Sequence, residues 1–218
     1  MKRALTSLLA GVLTLAPATQ AAEAPSFRNT IQPILTRYGC AMGACHGAAA
    51  GQGGFRLSLR GFDDEGDWLS ITRSANGRRL TFEDPARSLF LLKAVKTVPH
   101  KGDKRFEVNS PEYKAIVDWI AAGAPGPKAD DPRITSLSVA QPHLVTQGGK
   151  SVQLKVTAKF SDGHSEDVTR WCKYNATNAS VATVDDAGLI KITGSGEGDT
   201  ITVTDNGIGM DKEDLENN

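Results

Sequence analysis

The apolar spacing of this chain changes period at Gly123-Ala-Pro-Gly-Pro-Lys-Ala-Asp-Asp-Pro132. Before this Gly-, Pro- and Asp-rich stretch the hydrophobic residues recur mainly at helical spacing. After it they alternate. A chain of this kind folds as two modules joined by a linker. The expected boundaries are 25–124 for a small, mainly α module, 125–133 for the linker and 134–204 for an all-β module. An apolar fraction of 39% is enough to give a chain of this length a core.

The first residues form a separate segment. Lys2 and Arg3 precede a short apolar run from Ala4 to Pro17, and small residues follow at Thr19, Ala21 and Ala22. This is the pattern of a secretory signal peptide over Met1 to Ala21, too short for a spanning helix. No later segment is apolar enough to cross a bilayer. The sequence therefore predicts a soluble, periplasmic or secreted mature protein.

In the first module, Phe27, Ile31, Ile34, Leu35 and Tyr38 predict a helix with Pro33 in its first turn. Asp84-Pro85 reads as an N-cap and first position, with Leu89, Leu92 and Val95 on one face behind it. Ser110-Pro111-Glu112 opens another helix that carries Tyr113, Ile116, Val117 and Ile120 inward, and Gly123 closes it. Glycine-rich loops such as Gly51 to Gly54 lie between. So small a helical unit with so much loop is poor at building its own core, and a large apolar cofactor would supply one.

Directly after the first helix stands Cys40-Ala-Met-Gly-Ala-Cys45-His46. Two cysteines with a histidine immediately after the second are the chemistry of covalent haem attachment. Each thiol forms a thioether with a haem vinyl group, and the adjacent imidazole is held under the iron. The spacer here is four residues where two is usual. A local disulfide is the bland alternative. A zinc site would need two further ligands at suitable spacing, and the sequence has none. The expected cofactor is one covalent haem c held by Cys40, Cys45 and His46.

The sixth iron ligand is read by elimination. Met42 lies inside the attachment loop, Met210 in the tail, and His143 and His164 beyond the linker. His100, in the loop Val98-Pro-His-Lys-Gly102, is left as the candidate, with an open position as the competitor. Candidate partners for the haem propionates are Arg56, Arg60, Arg78, Arg79, Lys93, Lys104 and the Trp68 indole, with Arg60 and Arg79 singled out.

In the second module, Leu137 to Val139, Val152 to Phe160, Val168 to Trp171, Val181 to Val184, Leu189 to Ile192 and Thr200 to Val203 read as short strands. Ser161 to His164 and Asp185 to Gly188 read as turns. This is the pattern of a small β-sandwich. Cys172 is the single cysteine of residues 134–204, and the expected role is a spacer or binding module without catalytic residues.

Residues 27–125 resemble the cytochrome c-like domain of large exported planctomycete-type proteins. The resemblance rests on Ile31 to Leu35, Gly39-Cys40, Cys45-His46-Gly47, Phe55 to Leu59, Pro99-His100, Ser110 to Tyr113 and Trp119-Ile120. It implies haem binding by the Cys/Cys/His set, and Asp103 departs from it at a position usually glycine. Residues 134–203 resemble a group 2 bacterial immunoglobulin-like domain through Phe160 to Gly163, Asp167 to Thr169 and Val181 to Asp185. The acidic tail, 205–218, resembles at Asp205-Asn-Gly-Ile-Gly-Met210 the adenine-contacting motif of Hsp90-like ATPases. The companion helix and phosphate loop are missing from the sequence, so ATP is not an expected ligand.

The resulting expectation is an exported monohaem c-type cytochrome, more an electron carrier than a catalyst. The alternative is a non-haem adhesion or carbohydrate-associated protein that binds through its immunoglobulin-like module. An open iron site would instead suit a small peroxidase or ligand sensor. Expected partners are a redox protein and further domains or a cell-surface complex, not nucleic acid. Residues 25–128 carry 15 basic and 10 acidic residues, a net charge of +5, against −2 for 129–204 and −4 for the tail.

Overall fold

A computed structural model of the chain describes residues 24–143, 146, 148–193 and 201–204, the last four by their backbone. The expected signal peptide and the ATPase-like tail motif lie outside the described residues.

The helical module starts with a π-helical turn, Phe27–Ile31, capped by the Ser26 hydroxyl, which accepts from Asn29 N at 3.1 Å. It runs straight into α1 (Gln32–Arg37), with Pro33 in the first turn, where its missing N–H costs little. Two helices follow, α2 (Asp64–Thr72) and α3 (Leu89–Ala94), and then α4 (Pro111–Ala121), capped by Ser110 through Tyr113 N at 3.3 Å. Phe27, Ile31, Ile34, Leu35, Leu57, Ile71, Leu91, Ile116, Trp119 and Ile120 form the core, each no more than 1% exposed. Phe27 and Trp119 pack ring against ring at 5.6 Å.

One helical expectation needs correction, and a second holds with Tyr113 and Val117 packed against the core rather than fully inside it. Pro85–Arg87 is a separate 3₁₀ turn, because Ser88 adopts an extended conformation (ψ 129°) that breaks the run, and α3 starts at Leu89. On α4 the fully buried residues are Glu112, Ile116, Trp119 and Ile120, while Tyr113 and Val117 are half-buried.

The stretch after α4 lies along the helical module. Trp119 and Trp68 donate their indole N–H groups to the carbonyls of Pro125 and Ala124, each at 2.9 Å. Arg28 donates to the Lys128 carbonyl at 2.6 Å and pairs with Asp64 and Asp131.

The β module has three small antiparallel sheets: β1 (Ile134–Val139) with β3 (Val156–Phe160) and β4 (Ser165–Asp167); β2 (Ser151–Gln153) with β7 (Leu189–Ile192) and β6 (Ala182–Val184); and β5 (Lys173–Ala176) with β8 (Ile201–Thr204). One core cluster gathers Val156, Ala158, Phe160, Val168 and Cys172. A second gathers Leu154, Ala182 and Ile190, and Val139 and Tyr174 pack against both.

The alternating run Val152 to Phe160 is two strands that belong to different sheets. At the crossing, Leu154 N bonds the Gly188 carbonyl at 3.0 Å, and the Thr169 hydroxyl accepts Val156 N at 2.8 Å. Thr169–Trp171 is a 3₁₀ turn, not a strand. Asp167 accepts from both the Thr169 amide (3.0 Å) and its hydroxyl (2.5 Å), a local arrangement that competes with strand pairing.

Candidate functional site

The loop after α1 is built by its main chain. Gly39 takes the left-handed conformation (φ 74°) that ends the helix. Cys40 N and Ala41 N bond back to the Leu35 carbonyl, His46 N to Cys40 and Gly47 N to Met42. A Cβ at Gly47 would stand 2.4 Å from the Ala41 carbonyl oxygen, so the loop closes only with glycine there. The result puts Cys40, Cys45 and His46 on one wall of a cavity of about 510 Å³. Leu35, Phe55, Phe90, Ala94, Phe106 and Ile116 supply its apolar surface, and His100 lines it too.

His46 Nδ1 lies 2.9 Å from the Phe55 carbonyl oxygen. A carbonyl only accepts, so Nδ1 carries the proton and Nε2 keeps its lone pair. His100 repeats the arrangement, its Nδ1 2.8 Å from the Asp103 carbonyl oxygen. The two imidazoles lie within 9° of parallel, their centres 6.4 Å apart. Burial lowers the pKa of His46, more than its bond to Phe55 raises it, which favours the neutral ring. Burial also pushes the Cys40 thiol up to about 12, so it stays protonated and apolar at neutral pH.

The His100 loop turns tightly, with Asp103 N bonded to the His100 carbonyl at 3.0 Å. Asp103 has φ 62°, in the left-handed region where glycine costs least and Asp is tolerated better than most.

Of the cations weighed from the sequence, Arg78, Arg79 and Lys93 line the cavity, and Arg56, Arg60 and Lys104 do not. Arg60 is exposed in a short 3₁₀ turn with a left-handed backbone (φ 54°). Trp68 is committed to Ala124. Lys101 and Arg105 also line the cavity and were missed, because they sit in a loop without periodicity. Among the described residues, no Asp or Glu lines the cavity. Nor is there among the described residues a group of three or more His, Cys, Asp or Glu side chains placed to hold a metal ion.

Residues 133–216 match the bacterial Ig-like domain (group 2) family. The β module is a bacterial Ig-like domain. No curated protein matches the chain.

The Ig-like domain grips the helical module next to the candidate site. Arg37, the last residue of α1 and three before Cys40, is buried in it. It donates to the carbonyls of Arg170, Cys172 and Asp186. In the other direction, Arg170 donates to buried Glu112 of α4. Trp171 packs against the cores of both modules.

Proposed function

We propose that this chain is an exported protein whose helical module holds one covalently attached haem c and passes single electrons. The observation that carries the reading is the pair of near-parallel imidazoles, each with Nδ1 tied to a backbone carbonyl, in one cavity with two thiols. The two ring centres are 6.4 Å apart. Cys40, Cys45, His46 and His100 are the residue types of a zinc site, but among the described residues no three of them are placed to hold one metal ion. Two imidazoles are sufficient for an iron that brings four ring nitrogens of its own.

The haem would supply one-electron chemistry at iron. Cys40 and Cys45 would anchor it, and His46 and His100, each held in its tautomer by the Phe55 or Asp103 carbonyl, would bind its iron. The apolar wall excludes water and thereby tunes the potential.

The test is the mature chain, expressed with haem-attachment machinery. The reading requires a Soret band that survives denaturation and a mass higher by one haem. A colourless protein with a Cys40–Cys45 disulfide overturns it.

The matched Ig-like family favours a second reading: an exported, non-haem protein that binds a surface partner or carbohydrate through residues 133–216, with the helical module as scaffold. Glycan- and cell-binding assays with the colourless protein test that reading.

A further inference from the structure

Among the described residues, the lining of the cavity includes Arg78, Arg79, Lys93, Lys101 and Arg105 and no carboxylate. A ligand that fills an apolar cavity with this rim carries negative charge at one end. The five cations are not equally able to receive it.

Arg79 is buried and gives three of its five N–H donors to the wall itself. Nη1 bonds the carbonyls of Ser70 and Ser74, each at 2.9 Å, Nη2 bonds Gly54 at 3.0 Å, and the guanidinium lies 4.6 Å over the Phe55 ring. It builds the wall that holds Phe55, and hence the carbonyl that orients His46. Lys93 donates to the Pro99 carbonyl at 2.6 Å. Arg78 and Lys101 are exposed.

Arg105 differs from all four. It is half-buried and has no ion pair among the described residues. Its one side-chain hydrogen bond among them is a 3.3 Å contact from Nη1 to the Tyr38 carbonyl. Its backbone is fixed, with its N–H bonded to Ala94 at 2.7 Å. Its guanidinium stands between the two loops that carry the candidate iron ligands. A Cβ on Gly39, beside Cys40, would meet Nη1 at 3.7 Å, and one on Gly102, in the His100 loop, would meet Nη2 at 3.0 Å. A half-buried guanidinium facing a cavity without a carboxylate is a vacant fork for one.

We propose that Arg105 is the side chain that binds a haem propionate, the part that sequence reasoning gave to Arg60 and Arg79. This rests on the haem reading above. Among the described lining residues, Arg105 combines a half-buried guanidinium with no ion pair and a single long side-chain hydrogen bond.

The experiment uses the mature holoprotein and its Arg105→Leu and Arg105→Lys variants. Midpoint potential and the propionate bending bands in the resonance Raman spectrum are recorded. Arg105→Leu should lower the potential, since removing a cation stabilises the ferric state, and should shift a propionate band. Arg105→Lys should keep most of the potential yet still shift the band, because the charge stays and the fork is lost. A companion measurement uses the Cys40→Ser/Cys45→Ser variant, which takes up haem non-covalently. It should bind haem roughly tenfold or more tighter than haem dimethyl ester, and adding Arg105→Leu should erase that preference. Unchanged bands and potential in Arg105→Leu, or equal affinity for haem and its diester, overturns the assignment while leaving the haem reading intact. Absence of covalent haem in the parent removes both.

Discussion

The carboxylate of Glu112, buried on α4, accepts two hydrogen bonds from the Arg170 guanidinium of the Ig-like domain, at 2.6 and 3.3 Å. Burial alone would raise the Glu112 pKa, but the bonds from Arg170, Ser110 and Tyr38 outweigh it and hold the carboxyl below its ordinary 4.5. A carboxyl with a depressed folded-state pKa contributes stability that is complete above 4.5 and is lost as pH falls through the folded value. Chemical denaturation should therefore show stability falling as the pH drops below about 4.5. Glu112→Gln should cost roughly 1–2 kcal/mol at neutral pH and flatten that limb. An unchanged acid limb in Glu112→Gln would refute the assignment.

Arg37 makes the reciprocal connection. Its side chain is 2% exposed, and its contacts to three carbonyls satisfy the end of the Thr169–Trp171 turn and the turn at Asp186. The ion pair with Asp186 is secondary, since that carboxylate is 84% exposed. Arg37→Ala should cost about 3 kcal/mol and split thermal unfolding into two transitions. Arg37→Lys should restore little, because a point charge cannot serve three separated carbonyls. A single unshifted transition in Arg37→Ala would show that the modules are not coupled through this residue.

Where local chemistry and tertiary packing agree, the elements were legible in the sequence. Ser110-Pro111 and Gly123 bound α4 because capping and backbone freedom act within a few residues. α2 escaped notice because its buried residues are Asp67, Ile71 and Thr72, a stripe with little apolar period. The signals that would have found it are the Asp63 cap on Gly66 N, at 2.9 Å, and the acidic first turn. Alternation over Val152 to Phe160 said which residues point inward but could not say that the chain changes sheets at Leu154. At the site, Cys40, Cys45, His46 and His100 were read from residue chemistry and share one cavity. Arg60 and Arg79 were singled out and Arg105 was not among the candidates, because which arginine keeps free donors is decided by distant carbonyls.

Asp103 stands in the left-handed region, and its carbonyl orients His100. Its pKa is lowered by the hydrogen bond from Lys96, but the pair is exposed and screened, so that contact contributes little to stability. Asp103→Gly should leave the melting temperature and the absorption spectrum unchanged, since glycine adopts the same backbone freely. Asp103→Val should lower the melting temperature and broaden the signals of His100, because a β-branched residue is a poor occupant of positive φ. Thermal melts with histidine-selective NMR measure both.

His46 and His100 make unequal predictions when removed. His46 is built into the Cys40–Cys45 loop through Cys40 and Phe55, so if the proposed haem is bound, His46→Ala should abolish a low-spin spectrum and reduce the yield of haem-loaded protein. His100 sits on a separate loop, so His100→Ala should leave one covalent haem per chain by mass. It should convert the ferric spectrum to one with an open or water-bound position, and added imidazole should restore the parent spectrum by occupying the space left in the cavity. A His100→Ala spectrum identical to the parent's would mean that the parallel geometry of the two rings has nothing to do with iron, and would favour an open sixth position instead.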